Sequence, residues 1–400
     1  MESIFRYRNP DTAGASGGPL QGVNIAIQPN VSVEGWPTDA GSKALVNFTA
    51  LEDATIIRRL REAGTAVCGS TRMSEFGFGL DGSRAGEALK ENAADVEMVL
   101  DLMGESRLAA SRASVCGFKP SYGLVSSLGL IGLIPSMECW GLLSADIDRI
   151  RRVLDTISGP DPLDFSLPDE PAPDFSARGI KPENTSIGVI SEAVSGLSSD
   201  SKNAFQASVD ELKQAGFSVR ELSLPDMALF SLVHNIVGSV EASSCAGRYD
   251  SVRYGRRAPG ARNWNEMYLL SRGAAFGTLV KSYLFQGAYF QFERYAAYED
   301  ACRIRARLVA DMRKLFDKAD FLIFPAAVGG RFGQAASLAA TYEQFAATLF
   351  ANVTGQPALY LPPAPGSKAA GFQLAGPRRS DARVLALGEY LLNLRQEGNV

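Results

Sequence analysis

Cysteine and histidine are the side chains best suited to metal binding and nucleophilic catalysis, and this chain is sparing with both. It has five cysteines, Cys68, Cys116, Cys139, Cys245 and Cys302, and a single histidine, His234. No Cys-x-x-Cys pair occurs and only one imidazole exists to join the thiols, so no metal centre or other cofactor is expected. An odd, scattered set in a chain this long reads as reduced thiols. His234 lies in an apolar segment and reads as a packing residue, as do Cys116 and Cys139, which lack a recognisable base beside them. That leaves carboxylates, hydroxyls and carboxamides. A carboxyl group held in a partly dry cleft can have its pKa raised toward neutrality and serve as general acid or base.

The elements that must position such groups follow from pattern. With 400 residues, 46% of them hydrophobic and 21% charged, the chain can bury a large core. A formal net charge of -4 and a pI near 5.4 give no basic footprint for nucleic acid or an anionic membrane, which points to small-molecule or protein partners. The start, Met1 to Pro10, is charged and lacks the apolar centre of a signal peptide, and no run reaches the roughly 18 apolar residues of a membrane span, so a cytoplasmic protein is expected. Val23 to Ile27, Ala66 to Gly69, Ser186 to Ile190 and Phe321 to Phe324 read as buried strands, the last stopped by Pro325. Glu52 to Ala63 reads as a helix, and so does a segment capped by Ser144 that carries Ile147, Ile150, Val153, Leu154 and Ile157 on one face. A Pro- and Asp-rich crossover follows, from Pro160 to Pro182, then a helix near Asp200 to Ala215. From Met227 to about Leu315 the pattern is mostly helical and rich in aromatics such as Tyr283, Phe285, Tyr289 and Phe292, which suggests a helical cap packed by rings, or rings that line a pocket for an apolar ligand. Residues 190–315 are then a cap or variable region within one domain spanning 1–400. A helix near Tyr342 to Phe350, strands near Leu359 and Phe372, and a closing helix from Ser380 complete the α/β reading.

Several strings taken in order resemble the amidase signature family. They include Gly18-Pro19-Leu20-Gln21-Gly22-Val23, Ala40-Gly41-Ser42, Ser74-Glu75-Phe76-Gly77-Phe78-Gly79 and Cys116-Gly117-Phe118-Lys119-Pro120-Ser121-Tyr122-Gly123. Later come Tyr298-x-x-Ala301-x-x-x-Arg305, Asn352-x-x-Gly355-Gln356-Pro357-Ala358 and Gly371-Phe372-Gln373-Leu374. The resemblance implies the amidase signature fold, a mixed and mostly parallel β-sheet core flanked by helices. It also implies hydrolysis of amides by a nucleophilic Ser, a bridging Ser and a Lys base, an arrangement in which the base must take the hydroxyl proton and donors must meet the oxyanion.

Matched position by position, those roles fall on altered residues. Gln28, in Ile27-Gln28-Pro29-Asn30, stands where the family has Lys, and a carboxamide is too weak a base to accept a serine proton. Counting back from Gly117 puts Glu105 at the nucleophile's place within Asp101-Leu102-Met103-Gly104-Glu105-Ser106-Arg107, with Ser106 one residue late. The loop that carries the bridging Ser is shortened to Asp81-Gly82-Ser83-Arg84, leaving Ser83 as its remnant. The charge-rich stretch from Glu87 to Glu97, with Lys90, Glu91 and Asp95, reads as a surface helix or a subunit contact, because unpaired buried charge is costly.

Three readings follow. In the first, Glu105 is a general acid or base, with Gln28 and Ser83 beside it, in a repurposed enzyme that cyclises, isomerises or eliminates a small molecule. Leu102, Met103 and Gly104 then hold the substrate through the turn, Asp101 organises it and Arg107 orients an acidic group. In the second, the chain is an inactive pseudoamidase that binds a ligand or a partner. In the third it is a non-standard amide hydrolase using Ser83 or Ser106 with Lys43, Lys90 or another base. The partners expected are a small-molecule substrate or ligand and either a homodimer or a catalytic partner subunit, with no nucleic acid and no membrane.

Overall fold

A computed structural model describes residues 3–11, 17–176, 179–326 and 335–396. The first two residues of the charged start and residues 177 and 178 of the Pro-rich crossover lie outside them. Among the described residues eleven strands form one sheet: β1 (Phe5–Arg8), β2 (Asn24–Ile27), β3 (Ala66–Thr71), β4 (Val96–Asp101), β5 (Cys116–Lys119), β6 (Cys139–Ser144), β7 (Ser186–Ile190), β8 (Ser218–Leu222), β9 (Phe321–Pro325), β10 (Ala358–Leu361) and β11 (Phe372–Ala375). Their order is β1-β3-β2-β4-β6-β5-β10-β11-β9-β7-β8.

The mixed sheet and its flanking helices are as expected, but the balance of directions differs. Parallel pairing is confined to β3-β2-β4 at one end and β9-β7-β8 at the other. The centre, β4-β6-β5-β10-β11-β9, and the β1 edge are antiparallel. Parallel neighbours need a crossover helix, which Thr55–Glu62 supplies between β2 and β3 and Ser199–Gln214 between β7 and β8; among the central antiparallel strands, β5 returns to β6 and β10 to β11 through loops.

Alternation divides the side chains between two faces. In β9, Phe321 and Ile323 join one apolar core while Leu322 and Phe324 join the other. The first core is closed by Thr55–Glu62, Ile147–Ile157, Ser199–Gln214 and Asp381–Gln396, and the second by Leu229–Ala246, Thr278–Phe292, Tyr295–Phe316 and Leu349–Thr354. The apolar stripe of Ile147–Ile157 is buried as its spacing predicts, but its cap is Asp146, whose side chain accepts from Asp148 N; Ser144 ends β6. The single helix expected near Tyr342 is two, Leu338–Phe345 and Leu349–Thr354. The stretch from Glu87 to Glu97 also differs from expectation. Its helix is one turn, Glu87–Lys90, and Glu97 is a fully buried residue of β4.

Candidate functional site

Strands β2 and β4 run parallel side by side, and the candidate residues gather where both end, the edge at which open α/β sheets hold their ligands. Gln28 follows β2. Period two places it with Ala26, on the face away from Ile25 and Ile27. Beyond β4 the chain turns through Leu102, Met103 and Gly104 into the helix Glu105–Ala113. Gly104 sits at φ +119°, and a Cβ there would lie 2.2 Å from Thr348 Oγ1, so the turn requires glycine. The turn is pinned from outside. Thr348 Oγ1 donates to the Met103 carbonyl (2.6 Å) and His234 Nε2 to the Leu102 carbonyl (3.0 Å). His234 must therefore accept at Nδ1 from Tyr342 Oη (2.9 Å); burial pushes its pKa down to about 4, and it is a neutral packing residue. The side chains of Leu102 and Met103 are buried in the core with Phe78 and Tyr283, so what they can offer a substrate is backbone.

Gln28, Ser83 and Glu105 are brought together at this edge. The Ser83 hydroxyl donates to Glu105 Oε1 in a short hydrogen bond and accepts from Ala85 N (3.3 Å). Gln28 Oε1 accepts from Leu100 N (2.8 Å), which leaves its amide nitrogen free of that bond. That nitrogen and Glu105 Oε2 are both buried without a hydrogen-bond partner among the described residues. Burial pushes the Glu105 carboxyl up to about 7, against the lowering pull of the Ser83 hydrogen bond, Arg112 and Gln28. A second carboxyl stands behind it. Glu97 accepts from Thr71 Oγ1 (2.9 Å) and Gly86 N (2.7 Å), and burial raises it to about 7 as well.

Asp101 and Arg107 belong to a tie between elements. Asp101 accepts from the Ser106 hydroxyl and from Asn352 Nδ2 (2.9 Å), while Arg107 donates to Asn352 Oδ1 (2.8 Å), Gln373 Oε1 (2.9 Å) and the Thr348 carbonyl (2.9 Å). Both are fully buried, and their 3.4 Å ion pair is internal. Ser106 thus holds the turn. Lys43 and Lys90, candidate bases from the sequence, are exposed, whereas Glu105 and Gln28 are buried. Thr348, Asn352 and Gln373 were not foreseen in this role, although the last two lie inside the matched strings. Among the described residues no cluster of His, Cys, Asp and Glu is arranged to hold a metal ion.

A cavity of about 720 Å³ lies on the neighbouring strand's side, with Cys139, opposite Asp101 in the β4–β6 register, on its wall. Ser136, Trp140, Glu241 and Tyr298 also line it, whereas Ser83 and Glu105 do not. Here too a serine meets a carboxylate. Ser136 Oγ donates to Glu241 Oε1 (2.6 Å) and accepts from Arg305 Nη1 (2.8 Å). Sequence reasoning missed this pair, though Arg305 ends one of the matched strings.

The comparisons with known proteins reach across the chain. It matches the amidase family over residues 5–99 and 101–385. It is 31% identical over 405 residues to the glutamyl-tRNA(Gln) amidotransferase A subunit of Natronomonas pharaonis, covering 94% of this chain and 96% of that one. With the protein of the same name from Thermus thermophilus it shares 33% over 396 residues, 92% and 83% of the two chains. The crystal structure of the Thermotoga maritima protein of that name superposes with a TM-score of 0.80 at 20% identity, over 96% of this chain and 86% of that one, which carries the fold. A likeness of this length to proteins named as amidotransferase subunits overturns two expectations, the repurposed enzyme of cyclisation, isomerisation or elimination and the inactive pseudoamidase. The ordered strings, the mixed sheet and the match over nearly the whole length agree that the chain belongs to the amidase family.

Proposed function

We propose that the chain hydrolyses amide bonds of a small molecule, with Ser83 as nucleophile and Glu105 as the base that takes its proton. The observation that carries this reading is the hydrogen bond from the Ser83 hydroxyl to the Glu105 carboxylate. As Ser83 Oγ attacks the amide carbon, its proton passes to Glu105. The protonated carboxyl then delivers that proton to the departing nitrogen, and water, deprotonated by the same carboxylate, releases the acyl group from Ser83. A carboxyl with a pKa near 7 is suited to both directions of transfer. The backbone of Leu102 to Glu105, at the N-terminus of a nine-residue helix, supports the oxyanion. Gln28 cannot act as a base; its part is to favour the ionised form of Glu105. Asp101 and Arg107 keep the turn in place. Ser83, the member of the group with some remaining exposure, marks the side from which a substrate enters.

Relatives at about 31% identity are named as subunits, and we infer that this chain also works beside a partner subunit. A second reading places the same hydrolysis at Ser136 with Glu241 as base, favoured by their position on the wall of the cavity. One experiment separates the two. The full chain is treated with a fluorophosphonate probe, the labelled serine is mapped by mass spectrometry, and ammonia release is followed with a panel of primary amides. We expect ammonia release and label on Ser83, both lost in Ser83→Ala and Glu105→Gln. Label on Ser136, with turnover lost in Ser136→Ala, would transfer the reaction to the cavity. Neither label nor ammonia from any substrate would overturn the hydrolytic reading.

A further inference from the structure

The helices Trp264–Ala275 and Thr278–Phe292 follow each other with two residues between them, and their exposed side chains break the usual rule for aromatic residues. Phe285, Tyr289 and Phe292 recur at i, i+4 and i+7 on the second helix and are 74%, 49% and 75% exposed, and Leu269 on the first is 75% exposed. Tyr283 on the same helix is fully buried, but these rings are not. A groove of about 340 Å³ runs between the two helices, floored by Phe276 and Leu284 and edged by Tyr268, Leu269 and Phe285. Contiguous exposed apolar surface of this kind marks an interaction site.

Charge selects the occupant. Residues 253–294 carry seven Arg and Lys side chains against two carboxylates, Glu266 and Glu293, in a chain whose overall charge is -4, and of the seven Arg253 and Arg262 are paired with Asp250 and Glu266. Two of the cations, Arg272 and Lys281, stand on the groove itself. Their hydrogen bonds run to the carbonyls of Ala246 and Gly273, and among the described residues neither is in an ion pair. A second copy docked symmetrically on this face would set positive charge against positive charge. We propose that the groove binds an acidic amphipathic helix of the partner subunit, its apolar residues seated on Tyr268, Leu269 and Phe285 and its carboxylates on Arg272 and Lys281. The proposal rests on the partner-subunit reading above.

The probe is a synthetic helical peptide with Leu at i, i+4 and i+7 and Glu at the flanking positions, compared with the same peptide carrying Lys in place of Glu. Its binding to the full chain is followed by fluorescence anisotropy. The acidic peptide is expected to bind at least tenfold more tightly than the basic one, to weaken as salt is raised, and to lose at least tenfold in Phe285→Asp and in Arg272→Glu/Lys281→Glu, with thermal unfolding unchanged. Equal binding of the two peptides, or binding untouched by these changes, would overturn the proposal. So would a dimer by sedimentation, or pelleting with anionic phosphatidylserine vesicles, that depends on Phe285 while the acidic peptide does not bind. Tagged chain recovered from its native host separates the two inferences. A partner retained by both wild type and Phe285→Asp leaves the partner reading standing and moves its interface elsewhere, whereas a chain that runs alone removes the partner itself.

Discussion

At the scale of a residue, the Glu105 carboxyl answers to two opposed demands. Burial favours its protonated form and raises it to about 7, while accepting the Ser83 proton requires it ionised. If it is the base, turnover rises from pH 6 to pH 8 with a midpoint near 7. Glu105→Gln then lowers kcat by about a hundredfold or more and abolishes that limb, the usual cost of removing a general base. A profile that keeps its limb in Glu105→Gln would assign the titration to another group. Gln28 gives a finer test. Gln28→Lys puts an ammonium beside Glu105, favours its ionised form and should move the midpoint below 6. The same change removes the acceptor of Leu100 N, so stability should fall by about 1–3 kcal/mol in denaturant titrations. The positions of Gln28 and Glu105 were legible because ordered strings on both sides fix the count. Glu97 was not. A carboxylate in a run of charges looks solvated, and its burial depends on Thr71 and the Gly86 amide, which no local pattern links to it.

At the scale of an element, the turn from β4 into the helix Glu105–Ala113 is held by groups far away in sequence. Gly104→Ala should destabilise by about 3 kcal/mol or more, since the residue would be strained at φ +119° and its Cβ would meet Thr348 within 2.2 Å. Thr348→Ala should not rescue it, because the Thr348 Cβ that alanine keeps lies 2.3 Å from the added Cβ; a double variant that recovers full stability would show that the turn can move away from residue 348 at no cost. Arg107→Lys should cost about 3–5 kcal/mol, because a single ammonium cannot replace guanidinium bonds to Thr348, Asn352 and Gln373 at once. Chemical denaturation checks both. Element identity was readable where periodicity is local. Ile147 to Ile157 repeats at helical spacing and Ser186 to Ile190 fills a buried strand. Pairing direction was not readable, because β5 meets β10 across more than 200 residues. Nor was exposure in the aromatic helices, where Tyr283 and Phe285 are near neighbours in sequence and lie on opposite sides of the helix.

At the scale of the whole molecule, the buried carboxyls set how stability depends on pH. Glu97, Glu105 and Glu138 are each raised to about 7, in every case chiefly by burial, while Asp164 and Asp320 are held below their ordinary range by hydrogen bonds from Ser166, Ser127 and Ser186. The two groups act in opposite directions. A carboxyl raised on folding binds its proton more tightly in the native state, so between its ordinary value near 4.5 and about 7 the native state holds the extra proton and stability falls as pH rises. A lowered carboxyl supports the fold above its ordinary value and loses that contribution as pH falls through it. Stability should therefore peak near pH 5, with the melting temperature declining steadily toward pH 8 and more sharply below pH 4. Full ionisation of one such buried carboxyl costs on the order of 3 kcal/mol. Glu97 and Glu105 repel each other, so their costs are not independent. Glu97→Gln/Glu105→Gln removes both charges; the carboxamide at position 97 can accept from Gly86 N and donate to the Thr71 hydroxyl, and the one at position 105 can still accept from Ser83. The decline between pH 5 and 8 should then shrink to the part that Glu138 contributes, without altering the acid side. Melting curves across pH 3 to 9 read this directly. A wild-type melting temperature that climbs from pH 5 to 8, or a double variant with an unchanged slope, would show that these carboxyls are ionised in the native state at neutral pH, and would remove the basis for a base that titrates near 7.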